Sequence, residues 1–453
     1  MKLLRALLFL LILIAVLLLV QPDDAIAPTF VQRADELSAS LDDQLAADYY
    51  QVALLRQPWN VTVRLKLADA LMAQRRFTET EHALNEAERW DADRAEVEQR
   101  RAQLAAQNNQ FDMALLHWQN VSALRPLDDV AYAGAVESAL QAEQWSTAQL
   151  VAEQWVTHTQ SSAAHFALAK TAALDDPAIA QDHFQQAVGY AVQPFVAALQ
   201  EPDPVLRALL LGRAYLAEND LTLAQHAFDA AVTLNPAYAE AQALAGFVRD
   251  QRGADGSAWL DRAVALDPDL IIARYFRARQ RWTHGDLDGA LADLNHAIDH
   301  DPANALIAAE LGRVYTQRSD FSNAEKWLNQ ARDLKAQDVA IWKSLAELYV
   351  GRSFGTVDQA VATARQIVAL APEDAEAHLW LGRAYLRSGD RTGAEVELNE
   401  AVRLNPQAAL AHFYLGRLYG RDTEAGRAAY ERAVLLDPAG PIGAAAQRVL
   451  SLP

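Results

Sequence analysis

The sequence predicts an all-α fold, a solenoid of about twelve helix–turn–helix repeats behind one transmembrane helix. Three observations predict it. From Ala6 to Val20 every residue is apolar. Beyond that run, small and large residues return at fixed offsets as far as residue 440. Prolines behind Asn or Asp close successive units at the same step. With 453 residues, a net charge of −19 and no cysteine, the chain is ordered in composition and acidic. The missing cysteines exclude a disulfide framework, a thiolate zinc site and a cysteine nucleophile. The negative charge argues against nucleic acid as a partner, since that binding needs a basic footprint.

The first element is residues 1–21. Lys2 and Arg5 precede fifteen apolar positions, about 22 Å of helix. With Leu3 and Leu4 added and Arg5 snorkelling, the segment can cross a bilayer. Asp23 and Asp24 follow it. Positive charge before the span and none soon after puts the N-terminus inside and the array outside the cytoplasm. Ala25-Ile26-Ala27 has the form of a signal-peptidase site. Pro28 behind it disfavours cleavage, so a retained signal anchor is expected. A secreted or periplasmic cleaved form is the alternative.

The second element is the repeat. Leu211, Gly212, Tyr215, Ala224, Phe228, Ala231 and Pro236 align with Leu381, Gly382, Tyr385, Ala394, Leu398, Ala401 and Pro406. Gly312, Tyr315, Ala324, Leu328 and Ala331 fall on the same ladder, as do Ala278, Ala290, Leu294, Ala297 and Pro302. Small residues let antiparallel helices approach closely, and the large ones fill the space between units. The residue before proline avoids the α region, so Asn235-Pro236, Asp301-Pro302 and Asn405-Pro406 end second helices. His284-Gly285-Asp286 and Ser388-Gly389-Asp390 put glycine where a helix stops in left-handed geometry.

This ladder resembles the tetratricopeptide repeat (TPR), a helix–turn–helix unit of about 34 residues. The resemblance implies a right-handed superhelical stack in which each hairpin buries its apolar faces on its neighbours. Units are expected to start at Ala27, Val61, Ala95, Asp129 and Ala163, with weak consensus over residues 22–204. An insertion lies near 197–204. Near-consensus units then fill 205–440, starting at Val205, Ala239, Ile271, Ala305, Val339, Ala375 and Ala409. The unit at 339 is two residues long, around Phe354-Gly355. Residues 441–453 suit a capping helix.

Little chain remains for chemistry. Phosphate-binding loops, a serine elbow, H-E-x-x-H and a dinucleotide fingerprint are all missing. No catalytic residue, cofactor or metal is therefore expected. His378 and His412 share one repeat position, which fits packing better than a metal site without a third ligand.

One pattern points to binding. Arg213, Arg279, Arg313, Arg383 and Arg417 each follow the small residue of a first helix, and Glu347 interrupts the series. In tetratricopeptide repeats that place faces the concave groove, so the resemblance implies an arginine ladder there. Tyr275 and Phe413, four residues before an arginine, and Trp282 would share its surface. Guanidinium forks beside aromatic rings suit carboxylates and extended peptides. The alternative is that each arginine pairs with a neighbouring acid. Charge is uneven: residues 21–204 carry net −15, and 205–440 only −7. The second stretch is the better candidate for an anionic or mixed-charge partner.

The expected function is a non-catalytic, membrane-anchored scaffold that binds a peptide or partner protein in the groove. Bacterial envelope proteins with one span and an exported array resemble it, which implies a role in envelope assembly, secretion or quality control. The alternatives are a non-catalytic subunit of an enzyme complex, for example in glycan export or glycosyl transfer, and a cleaved, exported form.

Overall fold

The computed structural model describes residues 27–39 and 42–451. Among the described residues there are 26 α-helices and no strands. The predicted membrane segment, 1–21, lies outside them. Within the described residues no helix is long and apolar enough to cross a membrane.

Twenty-four of the helices form twelve antiparallel pairs, whose first members begin at residues 27, 61, 94, 129, 162, 204, 239, 271, 305, 339, 375 and 409. Side-chain caps set many of these starts. Asp128, Asn304 and Asp374 accept hydrogen bonds from backbone N–H groups of the first turn. Thr356 and Gln359 form a reciprocal capping box. Among the described residues, ten of the twelve pairs turn through a residue in left-handed conformation. Gly285 and Gly389 sit there at φ +84°. Asn109, Asn219 and Ser319 occupy the same turn at φ between 56° and 64°, at a cost of roughly 1–2 kcal/mol each.

The ladder residues form the core. Leu211, Tyr215, Phe228, Leu311 and Leu328 are all fully buried. A Cβ on Gly212 would stand 2.3 Å from the Phe228 ring, and one on Gly312 would stand 2.5 Å from Leu328. The two helices of a pair touch at these glycines.

A second device recurs that the ladder did not reveal. A side chain early in the first helix reaches back six residues to the carbonyl that ends the preceding unit. Arg64 donates to Pro58 O, Gln242 to Pro236 O, Arg274 to Pro268 O and Trp342 to Ala336 O, at 2.5–3.0 Å. His378 and His412 do the same to Pro372 O and Pro406 O, at 2.9 and 3.0 Å. Five of the six carbonyls belong to a proline that ends a unit, Ala336 holds the same place without one, and all lie past the end of a helix.

His378 also places Nδ1 2.6 Å from Glu397 Oε2. Both partners are acceptors, so both ring nitrogens are satisfied only when the ring is protonated. Burial alone would lower its pKa, but the bonds to Pro372 O and Glu397, with the field of Glu397 and Glu400, raise it above the ordinary value. Its stabilising effect is complete below the unfolded histidine pKa and is lost as pH rises through the higher folded value. The melting temperature of the wild type should exceed that of His378→Gln by more at about pH 5.5 than at about pH 8.5. A gap independent of pH would refute the charged ring.

The chain parts into two compact units, 1–234 and 235–453. The division falls one pair later than the change in sequence regularity at 205. In the first unit the extra residues near 197–204 become a short helix, Gln193–Leu199, and the turn that follows it. Phe195 of that helix packs against Phe166, Phe184 and Tyr215, with ring centroids 5.1–6.1 Å apart. Trp145 stacks on His226 at 3.9 Å, joining pairs that are not adjacent in sequence.

In the second unit the first helix of the 339 repeat ends in a π-helical turn, and the two additional residues lengthen the connection that follows it, 352–356 against 318–320 in the repeat before. Helix Val339–Ala346 widens into Glu347–Gly351. Arg387 ties this turn down by donating to Tyr349 O, Ser353 O and Gly355 O. At the end of the unit, helix Pro441–Leu450 covers Tyr430 and Ala433 with Ile442, Val449 and Leu450.

Candidate functional site

A polar cleft of about 630 Å³ in the second unit takes residues from four successive first helices: Trp282, Arg313 and Gln317, Lys343 and Glu347, then Glu376 and Trp380. The floor is a charge network. Arg313 donates to Glu310 Oε1 at 2.9 Å and to Ser344 Oγ at 3.0 Å. Glu310 is buried, and its second oxygen, Oε2, has no hydrogen-bond partner. Tyr275 Oη lies 3.4 Å from Glu310 Oε1, and burial, reinforced by that carboxylate, pushes its pKa up. Lys343 bridges Asp374 and Glu376 at 2.7 and 2.5 Å. Burial would lower the Lys343 pKa, yet the two carboxylates hold it above its ordinary value.

Beside this cleft the character changes. A smaller recess of about 290 Å³ is lined by Arg383, Arg387, Arg417 and Tyr414, with the π-turn at its rim. The Arg383 guanidinium lies 4.2 Å from the Trp380 ring centroid and 5.0 Å from that of Tyr414. Arg417 lies 5.3 Å from the same Tyr414. Neither Arg383 nor Arg417 has a carboxylate partner among the described residues, although acids outnumber bases in the chain. Arrayed over aromatic faces, their donors remain open to an incoming anion.

The expected site residues therefore divide. Trp282, Arg313 and Glu347 share the larger cleft, and Arg383 and Arg417 share the recess. Glu347 pairs with Arg352 at 3.0 Å. Tyr275 lines a separate cleft, and Arg279 sits over Phe247 at 5.9 Å without a carboxylate. Phe413 packs on Tyr430, 5.6 Å between centroids, beneath the capping helix and away from the recess. Arg213 is exposed on the first unit.

The pairing reading holds for Arg313 and fails for Arg383 and Arg417. Trp380 and Tyr414, the aromatic partners of those two, stand three residues before each arginine. Spacings of three and four both lie on one helical face, and only packing sends Phe413 inward and leaves Tyr414 out.

An apolar cleft of about 690 Å³ was not foreseen. Leu270, Ile271, Tyr275, Phe276, Leu306 and Ile307 line it, and Glu240, Asp267 and Asp269 stand at its edge.

Beneath the surface Arg274, Arg277 and Arg281 all converge on buried Asp293 at 2.6–3.0 Å. Arg277 also bonds Asp261, and these carboxylates raise its pKa against the opposing effect of burial. This cluster joins helices Ile271–Thr283 and Leu287–His300 and is a structural element.

Comparison with known proteins identifies repeats of this class. Tetratricopeptide repeat families match residues 209–271, 282–348 and 353–418. Among solved structures, the Cut9–Hcn1 hetero-tetramer of the APC/C is similar at 13% identity and a TM-score of 0.46, over 96% of this chain and 99% of that one. A tetratricopeptide repeat protein from Parabacteroides merdae gives 16% and 0.43, over 54% and 97%. Yeast Tom70 gives 14% and 0.39, over 94% and 95%. No curated protein matches.

Proposed function

We propose that this chain, in which residues 209–271, 282–348 and 353–418 are tetratricopeptide repeats, is a non-catalytic scaffold that holds an acidic peptide segment or partner protein along the first helices of its second unit. The observation that carries the reading is the pair Arg383 and Arg417. Among the described residues two adjacent guanidiniums remain without carboxylates, while other arginines of the same unit, such as Arg277 and Arg313, are paired. A partner's carboxylate would enter the recess lined by Arg383, Arg417 and Tyr414, and its neighbouring residues would run toward Lys343 and Trp282. The test is affinity for an acidic peptide in the wild type and in Arg383→Glu/Arg417→Glu.

In the same proposal residues 1–21 anchor the chain in a membrane with the array on the extracytoplasmic side, in an envelope-assembly, secretion or quality-control setting. The support is the uninterrupted apolar run behind Lys2 and Arg5. Reporter enzymes that work on only one side of a membrane, fused after Pro453, are expected to be active outside the cytoplasm. Activity confined to the cytoplasm would reverse the topology.

A further inference from the structure

We infer that Asp269, His296 and His300 form a surface site for a divalent first-row transition ion of the zinc type, independent of the peptide groove. His296 and His300 stand one turn apart at the end of helix Leu287–His300, and Asp269 comes from the turn before helix Ile271–Thr283. Candidate donor atoms of all three lie within 4.8 Å of one another. His296 Nε2 is 3.0 Å and His300 Nε2 is 3.7 Å from Asp269 Oδ1. An ion with ligands at about 2.0–2.1 Å and tetrahedral angles needs donors about 3.3 Å apart, a value between these two. Small side-chain shifts would close the site.

The protonation pattern suits a ligand. His300 Nδ1 lies 2.9 Å from the His296 carbonyl, which can only accept. The proton of the neutral ring is therefore on Nδ1, and the Nε2 lone pair faces the aspartate. Ligating imidazoles are commonly oriented in this way, by a bond from the remote nitrogen to a carbonyl. The two rings stack with centroids 4.5 Å apart. A cation here also lies at a helix C-terminus, where the backbone dipole favours it. Two imidazoles and one carboxylate select zinc, nickel or copper over calcium or magnesium, which take oxygen ligands. Open positions would be filled by water.

An ion would bind the Pro268-Asp269 turn to the following helix pair and neutralise a charge at the edge of the apolar cleft, which Asp269 also lines. The signal was present in the sequence as His296 and His300 four apart on a helix. The aspartate from the neighbouring turn becomes visible only in three dimensions.

The experiment is calorimetric titration of the full chain with zinc chloride. One ion per chain is expected, with binding weakened at least about tenfold in His296→Ala, His300→Ala and Asp269→Asn. His378→Gln should bind as the wild type does. Zinc should raise the melting temperature of the wild type and leave His296→Ala/His300→Ala unmoved. Cobalt, used as an optical probe, should give visible absorption bands that Asp269→Asn reduces. Zinc binding equal in the double variant and the wild type, or no saturable binding, would overturn the site. All three residues are at or near the surface, and circular dichroism will confirm that the variants keep their helices.

Discussion

Gly212→Ala is expected to lower the melting temperature of the chain, although alanine is the better helix former by about 1 kcal/mol. The new methyl would meet the Phe228 ring at 2.3 Å, and that ring is fully buried. Something must move, and overpacking of this kind costs about 1–3 kcal/mol. After the gain in helix propensity is offset, the expected net loss is up to about 2 kcal/mol, at most a few degrees of melting temperature. The repeat at 271 supplies the control. It has Ala278 opposite Leu294, both buried. Gly212→Ala/Phe228→Leu should therefore regain most of the loss, which a double-mutant cycle reads directly. If Gly212→Ala alone raised the melting temperature, the close approach of the paired helices would be disproved.

Arg383→Glu/Arg417→Glu is expected to abolish capture of an acidic peptide while leaving the melting temperature in place. A hydrogen bond to a charged partner contributes about 1.5–3 kcal/mol, so losing two weakens binding by roughly 100-fold or more. Stability should hold because neither guanidinium neutralises a buried carboxylate of its own chain. The opposite pattern belongs to Arg313, whose removal would strand the buried Glu310 carboxylate, so it is a poor probe of the groove. Arg383→Lys should fall between wild type and the double variant, because an ammonium keeps the charge without the flat stack against Trp380 and Tyr414. Added salt should weaken the wild type more than the variant. Equal peptide affinity in wild type and double variant would return both arginines to ordinary surface.

The period was legible because helix pairing acts through residue size. A small residue opposite Phe228 or Leu328 is required wherever two backbones approach closely, so Gly212 and Gly312 announce the packing before any coordinates exist. The helix starts follow for a local reason: Asp, Asn and Thr caps and the proline turns act within a few residues of themselves. The two additional residues of the 339 unit were also countable. That the connection they lengthen is held by Arg387, 38 residues beyond Tyr349, through the Tyr349, Ser353 and Gly355 carbonyls was not.

By itself, then, the sequence determined the all-α repeat, its step and the arginines that follow its small residues, because each is written in spacing along one helix. The tertiary structure decided which arginines are neutralised. Asp293 meets three of them and Glu310 meets Arg313, whereas among the described residues nothing acidic pairs with Arg383 or Arg417. It also turned Phe413 onto Tyr430 and left Tyr414 at the recess, and it brought Asp269 to His296 and His300. Each of those outcomes depends on charges and volumes contributed by neighbouring helices, whose distances a linear chain does not encode.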